Sequence, residues 1–174
     1  YYDAGKFEEA IREYDLYMRA YGEVADRTQL SLAEAEYKIG RAFFEMGKKL
    51  DSSEKYEEAI SHYTRILEKW PESRMVVAAK FNIALCKQMM GRLREALDGF
   101  SSIVDEHPKD EYVPNCLLQM ARIHCELGEY EESMKLYRKL SSFPDFMRDA
   151  VRFELGLVLK KMGRTEEAVE MCLK

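Results

Sequence analysis

The sequence predicts an all-α protein built from repeated pairs of antiparallel helices, and three observations carry that expectation. Its 174 residues hold only four prolines and nine glycines, which leaves long stretches free of helix breakers. A ten-residue pattern returns five times along the chain. No segment keeps an apolar alternation of period two for long, so strands are not expected. Composition agrees, with 34% charged and 47% hydrophobic residues, which excludes a disordered tail. A chain of this length buries roughly 70% of the surface it exposes when unfolded. It needs neither disulfides nor a metal for its core.

The repeat sets the element order. The pattern occupies Gly5–Tyr14, Glu54–Tyr63, Gly91–Phe100, Gly128–Tyr137 and Gly163–Cys172. Successive copies are 49, 37, 37 and 35 residues apart, a period that belongs to helical solenoids. Four of the five copies carry a glutamate pair near their start, such as Glu57-Glu58 and Glu131-Glu132, which suits the positive end of a helix dipole. These glutamate pairs recur with the repeat and therefore read as helix starts, not catalytic dyads. A preceding helix is expected over 37–47, 81–91, 118–128 and 153–163, each segment closing on a glycine that tolerates the left-handed conformation past a helix end. The second helices stop at Trp70-Pro71, His107-Pro108 and Phe143-Pro144. The pairing is also legible. Gly40, Ala84, Ala121 and Gly156 on the first helices match Ala59, Ala96, Ser133 and Ala168 on the second, so small side chains let two backbones approach closely. Tyr63, Phe100 and Tyr137, four residues on, fill the space between neighbours.

Two places depart from the repeat. Relative to the later repeats a seven-residue stretch, 48–54, is inserted after Gly47, where Asp51 and Glu54 form a capping-box pattern and predict a turn before a new helix. Ser31 and Glu34 form a second such box, which predicts a helix starting near Leu32 after a long link from Gly22. The expected organisation is one domain, 1–174. It comprises a half repeat at 1–22, repeats at 32–71 (with the insertion near 48–54), 74–108 and 111–144, and a partial repeat at 147–174.

The small residue of each first helix, the alanine of the second, the aromatic four later and the closing proline resemble the tetratricopeptide repeat. The aromatics Tyr37, Phe81 and Phe153 with the Trp70-Pro71 and His107-Pro108 junctions are similar to those of bacterial envelope repeat proteins, of the kind that scaffold outer-membrane β-barrel assembly or coordinate the Tol–Pal system. The resemblance implies a right-handed superhelix whose first helices line a concave, partner-binding face. Carried onto this chain, the groove candidates are Tyr37, Lys38, Arg41, Phe44, Phe81, Asn82, Leu85, Gln119, Arg122 and Phe153, with Glu34, Leu157 and Lys160 beside them. The bland alternative makes Tyr37, Phe81 and Phe153 packing residues. Arg41 and Arg122 would pair with Glu34 or Glu126, or with carboxylates of a ligand. The Lys and Asn pattern by which chaperone-binding members hold a C-terminal carboxylate is replaced here by Tyr37 and Arg41, Phe81 and Leu85, and Leu118 and Arg122.

The function expected is therefore a non-catalytic scaffold that docks a protein or peptide; the alternative is a repeat region of a larger regulator or enzyme. The net charge of −5 and pI near 5.4 argue against a general nucleic-acid binder. The longest unbroken apolar runs are about five residues, far below the ~18 of a membrane span. The four cysteines form no CxxC pair, and His62, His107 and His124 lie far apart, so no metal, cofactor or nucleophile–base pair is expected. Gly40 to Lys48 has the wrong spacing for a phosphate loop. Unpaired thiols lean towards a reducing compartment. The sequence opens on Tyr1 rather than Met, so a targeting segment can lie outside it, and cytoplasm and bacterial periplasm both stay open. Apolar residues near the two ends, Phe7 and Ile11 at one and Val169 and Leu173 at the other, are rival contact points, including for self-association.

Overall fold

A computed structural model describes residues 6–21, 29–143 and 148–173. Among them are nine helices: α1 (Phe7–Tyr21), α2 (Gln29–Leu50), α3 (Ser53–Lys69), α4 (Val76–Met89), α5 (Leu93–Glu106), α6 (Val113–Glu126), α7 (Tyr130–Leu140), α8 (Arg148–Lys161) and α9 (Thr165–Leu173). No strand occurs among the described residues. The all-α class and the antiparallel pairing are as the repeat predicts. The first helices of the pairs are α2, α4, α6 and α8. The chain forms two compact units, 1–99 and 100–174, with the division inside α5.

In the first unit α1 packs on α2, α2 on α3 and α3 on α4. Its core centres on α3, where Tyr56, Ala59, Tyr63 and Ile66 meet Ala33 of α2 and Ala79 and Cys86 of α4. The periodicity explains this choice: 56, 59, 63 and 66 lie on one stripe of a 3.6-residue helix. The second unit repeats the scheme with Val113, Leu117, Leu118 and Ala121 of α6, Met134, Tyr137 and Leu140 of α7, Val151, Leu155 and Val158 of α8, and Ala168 of α9.

Small residues set the approach of the helices. Ala59, Ala84, Ala96, Ala121 and Ser133 are fully buried. A Cβ added to Gly40 would lie 2.8 Å from the Tyr63 ring, and one added to Gly99 would lie 3.0 Å from the Ala84 Cβ. Ser133 replaces the alanine of the other repeats at no polar cost, because its hydroxyl donates to the Ala121 carbonyl at 2.7 Å.

The turns inside the pairs share one construction. Gly91, Gly128 and Gly163 have φ of 74°, 78° and 77°. Around Gly91, the Arg92 amide donates to the Lys87 carbonyl and the Gly91 amide to the Gln88 carbonyl; the same two bonds recur at 128–129 and 163–164. This is the Schellman arrangement, which satisfies carbonyls left open at a helix end. Proline acts as expected downstream: α3 ends at Lys69 with Trp70 as its cap, and α5 ends at Glu106. The Phe143-Pro144 stop reaches outside the described residues, although α7 already ends at Leu140.

The insertion corrects two expectations, and the start of α2 corrects a third. Gly47 does not end its helix; α2 runs on to Leu50, and Gly47 lies where an added Cβ would come within 2.8 Å of the Tyr56 ring. The left-handed residue is Asp51, φ 50°, with the Ser52 amide bonded to the Gly47 carbonyl at 3.0 Å. Asp51 is also not the N-cap of the next helix. Ser52 is, its hydroxyl accepting from the Lys55 amide. The extra residues are thus taken up as about one more turn on α2 and most of a turn on α3, with the Schellman turn itself kept. At the other box, α2 already begins at Gln29 rather than near Leu32, so Ser31 lies inside the helix. The link after Gly22 lies outside the described residues.

Candidate functional site

In the first unit, α2 and α4 carry seven of the expected groove residues, and the structure sorts them into two kinds. Tyr37 and Asn82 hold each other: the Asn82 amide donates to the Tyr37 hydroxyl at 2.9 Å and to its own helix at the Ala78 carbonyl at 2.8 Å. The Tyr37 ring lies 5.5 Å from that of Tyr63. Phe44 lies 5.7 Å from the Tyr56 ring, and the Lys48 ammonium stands 5.7 Å over its face. Phe81 and Leu85 are half-buried. Tyr37 and Phe44 pack against the core of this unit, and Asn82 joins α4 to α2 through Tyr37. Lys38 and Arg41 are instead exposed, and the Lys38 ammonium lies 5.7 Å over the Tyr14 ring. Glu34 pairs with Arg74.

In the second unit, Arg122 of α6 has a partner the sequence reading did not name. Its Nε donates to both Glu154 oxygens, at 2.9 and 3.2 Å, and its Nη2 also reaches Glu154. The pairing with Glu126 is therefore replaced by one with α8. The Tyr137 hydroxyl of α7 donates to the same carboxylate at 2.6 Å. Burial raises the Glu154 carboxyl, but the bonds from Arg122 and Tyr137 outweigh it and hold the group below the ordinary glutamate value. Burial, then the bond to Glu154, pushes the Tyr137 hydroxyl well above its usual range, so it stays a donor. Arg122 is raised too, by its hydrogen bond to Glu154. Gln119 is half-buried.

Beside this network α8 turns apolar surface outward. Phe153 is 60% exposed and Leu157 45% exposed, one turn apart. Val151, Leu155, Val158 and Leu159 bury the opposite face of the same helix. The packing alternative thus fits Tyr37 and does not fit Phe153. Of the residues near the chain ends, Val169 is 54% exposed, Phe7 and Ile11 are half-buried, and the Leu173 side chain is outside the described residues.

Glu154 had a signal in the repeat. It follows the opening aromatic of its helix, as Asn82 does, and both reach back to the preceding first helix, Asn82 to Tyr37 and Glu154 to Arg122. A second polar cluster also escaped notice. Glu36 on α2, only 2% exposed, accepts from His62 Nδ1 and Arg65 of α3, each at 2.9 Å. His62 stacks on Phe43, ring centroids 5.3 Å apart. A buried carboxylate needs such partners, and here they lock α2 onto α3. His124 bonds Glu129 at 2.6 Å across the α6–α7 turn. Among the described residues no group of three or more His, Cys, Asp or Glu is placed to hold a metal, and no helix is long and apolar enough to cross a membrane.

Comparison with known proteins agrees with this architecture. A family model described as "Tetratrico peptide repeat" matches residues 76–174, and a second, "Tetratricopeptide repeat", matches 34–73. A TPR repeat-containing protein of Methanocaldococcus jannaschii is 35% identical over 86 residues, which is 48% of this chain and 26% of that protein. The chain therefore spans about a quarter of that relative. A crystal structure of MamA superposes with a TM-score of 0.71 at 18% identity, over 99% of this chain and 92% of that one. The Rap conjugation gene regulator of the plasmid pLS20, solved in complex with the Phr* peptide, gives 0.60 at 22% identity, over 97% of this chain and 49% of that one. The repeat, the Schellman turns, the small-residue seams and the family match over more than half its length together place the chain in the tetratricopeptide repeat family.

Proposed function

We propose that this chain is a non-catalytic scaffold that docks a segment of a partner protein on its first helices. The observation that carries the reading is the outward pair Phe153 and Leu157 on α8, a helix whose other face is fully used by the core. Large apolar groups held on a rigid helix lose little freedom when covered, so each contributes to binding with a small ordering cost. Arg122 does not wait for a ligand carboxylate there, because Glu154 already neutralises it; the segment seated on α8 is anchored by apolar side chains. In the first unit the exposed Arg41 and Lys38 are the groups suited to an acidic residue of a partner. The Rap regulator's capture with a peptide supports a peptide-holding role for a fold of this kind.

The test places a photo-crosslinking amino acid at position 153, and for comparison at exposed Asp98 on α5, in the native host. Partner adducts are expected at 153 and should disappear when a Leu157→Ser substitution is added. Equal adducts at both positions would overturn the reading. A second reading has its own support. The chain spans 26%, 5% and 23% of three curated relatives, so it also fits a repeat region working within a longer regulator or enzyme. The complete reading frame decides between them.

A further inference from the structure

The end of α7 and the start of α8 bound a space of about 320 Å³, at the small end of the range that ligand pockets occupy. Its walls are apolar on both sides, with Leu140 and Phe143 from the α7 end and Val151 and Leu155 from α8. Two cations, Arg148 and Arg152, complete it. They lie four residues apart, so they form one row of α8 beside the apolar row of 151 and 155. Neither guanidinium is committed. Among the described residues Arg148, which is exposed, has no hydrogen bond or ion pair. Arg152 meets Asp149 at 4.0 Å, beyond hydrogen-bond reach, and that carboxylate's side chain is 98% exposed. The carbonyls at the end of α7, which would repel an anion, are already occupied. The Ser141 amide and hydroxyl both donate to the Tyr137 carbonyl, the Ser142 amide to that of Lys139 and the Phe143 amide to that of Leu140. The site thus sets two cations against one fully solvated carboxylate, in a chain whose net charge is −5.

We propose that this pocket binds a small organic acid, its carboxylate held by Arg148 and Arg152 and its aromatic or branched tail placed among Leu140, Phe143, Val151 and Leu155. A guanidinium fork matches the two oxygens of a carboxylate. α8 starts at Arg148, so the positive end of its dipole adds to the same field. The apolar walls favour a tail over a compact hydrophilic anion such as phosphate, whose remaining oxygens would lose water there without gaining a partner. They also favour a free acid over the end of a peptide. A peptide brings a backbone amide beside its carboxylate, and the four apolar side chains offer that amide nothing to bond. Phe153 and Leu157 are not among the walls, so this site and the docking surface can fail separately.

The experiment titrates the whole chain with hydrocinnamate at neutral pH by NMR, beside hydrocinnamamide, acetate, inorganic phosphate and acetyl-Gly-Phe with a free carboxylate. Hydrocinnamate is expected to shift the signals of Leu140, Val151 and Leu155 and to weaken with added salt. The amide keeps the tail and acetate keeps the charge; each should bind about tenfold more weakly. Arg148→Gln and Arg152→Gln should each weaken hydrocinnamate about threefold with the helical circular dichroism unchanged. Asp149→Asn should tighten it about twofold, because the competing carboxylate is gone. Phe153→Ser with Leu157→Ser should leave the titration unchanged. Phosphate binding as tightly as hydrocinnamate would reduce the site to a patch of charge, and tighter binding of acetyl-Gly-Phe would make a peptide end the occupant. Either result overturns the proposal, as do shifts confined to other helices or wild-type affinity in both arginine variants.

Discussion

Burial decides what individual residues can do here, and the cysteines illustrate it. Desolvation pushes the thiols of Cys86 and Cys116 up to about 12, with Glu57 and Asp110 adding to it. A thiol that high holds almost no thiolate at neutral pH and does not react. In the folded protein, Cys125, which is partly exposed, should be modified by a thiol reagent at pH 7.5 well before Cys86 and Cys116, whose labelling should await urea. Equal labelling of all three by peptide mass mapping would contradict the packing. Glu154 gives a pH prediction of definite sign. Its carboxyl is held below the ordinary glutamate value of about 4.3, so its contribution to stability is complete above that value and is lost as pH falls through the folded value. Glu154→Gln should remove part of the acid-induced fall in the urea midpoint between pH 6 and 3. Parallel wild-type and variant curves over that range would show that the Arg122–Glu154–Tyr137 network contributes nothing.

At the scale of the helices, close approach outweighs intrinsic propensity. Gly40→Ala would gain up to about 1 kcal/mol of helix propensity. The new methyl would lie 2.8 Å from the fully buried Tyr63 ring, and overpacking of that kind costs about 1–3 kcal/mol, so the variant should be less stable in urea. Ala96→Leu should lose a similar amount, since Ala96 is fully buried in α5. Gly91→Ala tests a different cause. Nothing lies near its would-be Cβ, and the cost, about 1–2 kcal/mol, comes from φ of 74° alone. If Gly91→Asn recovers most of that loss while Gly40→Asn does not, the two mechanisms are separated. These seams and turns were readable because each is written several times in the sequence at fixed offsets. Of the insertion, the turn at Asp51 was legible but the helix ends and the cap were not, because it occurs once. Gly47 carries the repeat's glycine, yet the helix continues through it, since the left-handed turn needs only a residue that tolerates it and Asp51 does.

For the molecule as a whole, repetition explains why the fold was legible and the site only partly so. Every repeat needs the same small residues, aromatics and stops, so pattern reveals the core. Surface residues are free to differ from repeat to repeat, and the same first-helix position is a core-tied Tyr37 in one and an exposed Phe153 in another. The junctions at Trp70-Pro71 and His107-Pro108 end helices by chemistry common to any such array, so they do not distinguish an envelope scaffold from other members. What distinguishes structure from function is whether exposure serves stability. Phe153 and Leu157 are on the surface of α8, and removing exposed apolar groups away from special features changes stability by only about 0.5 kcal/mol. The double variant Phe153→Ser, Leu157→Ser should therefore unfold within that margin of wild type in urea, keep its helical circular dichroism, and lose partner capture in the native host. A variant that melts substantially earlier would mark the pair as part of the fold. One that keeps both its stability and its partners would show that docking takes place elsewhere.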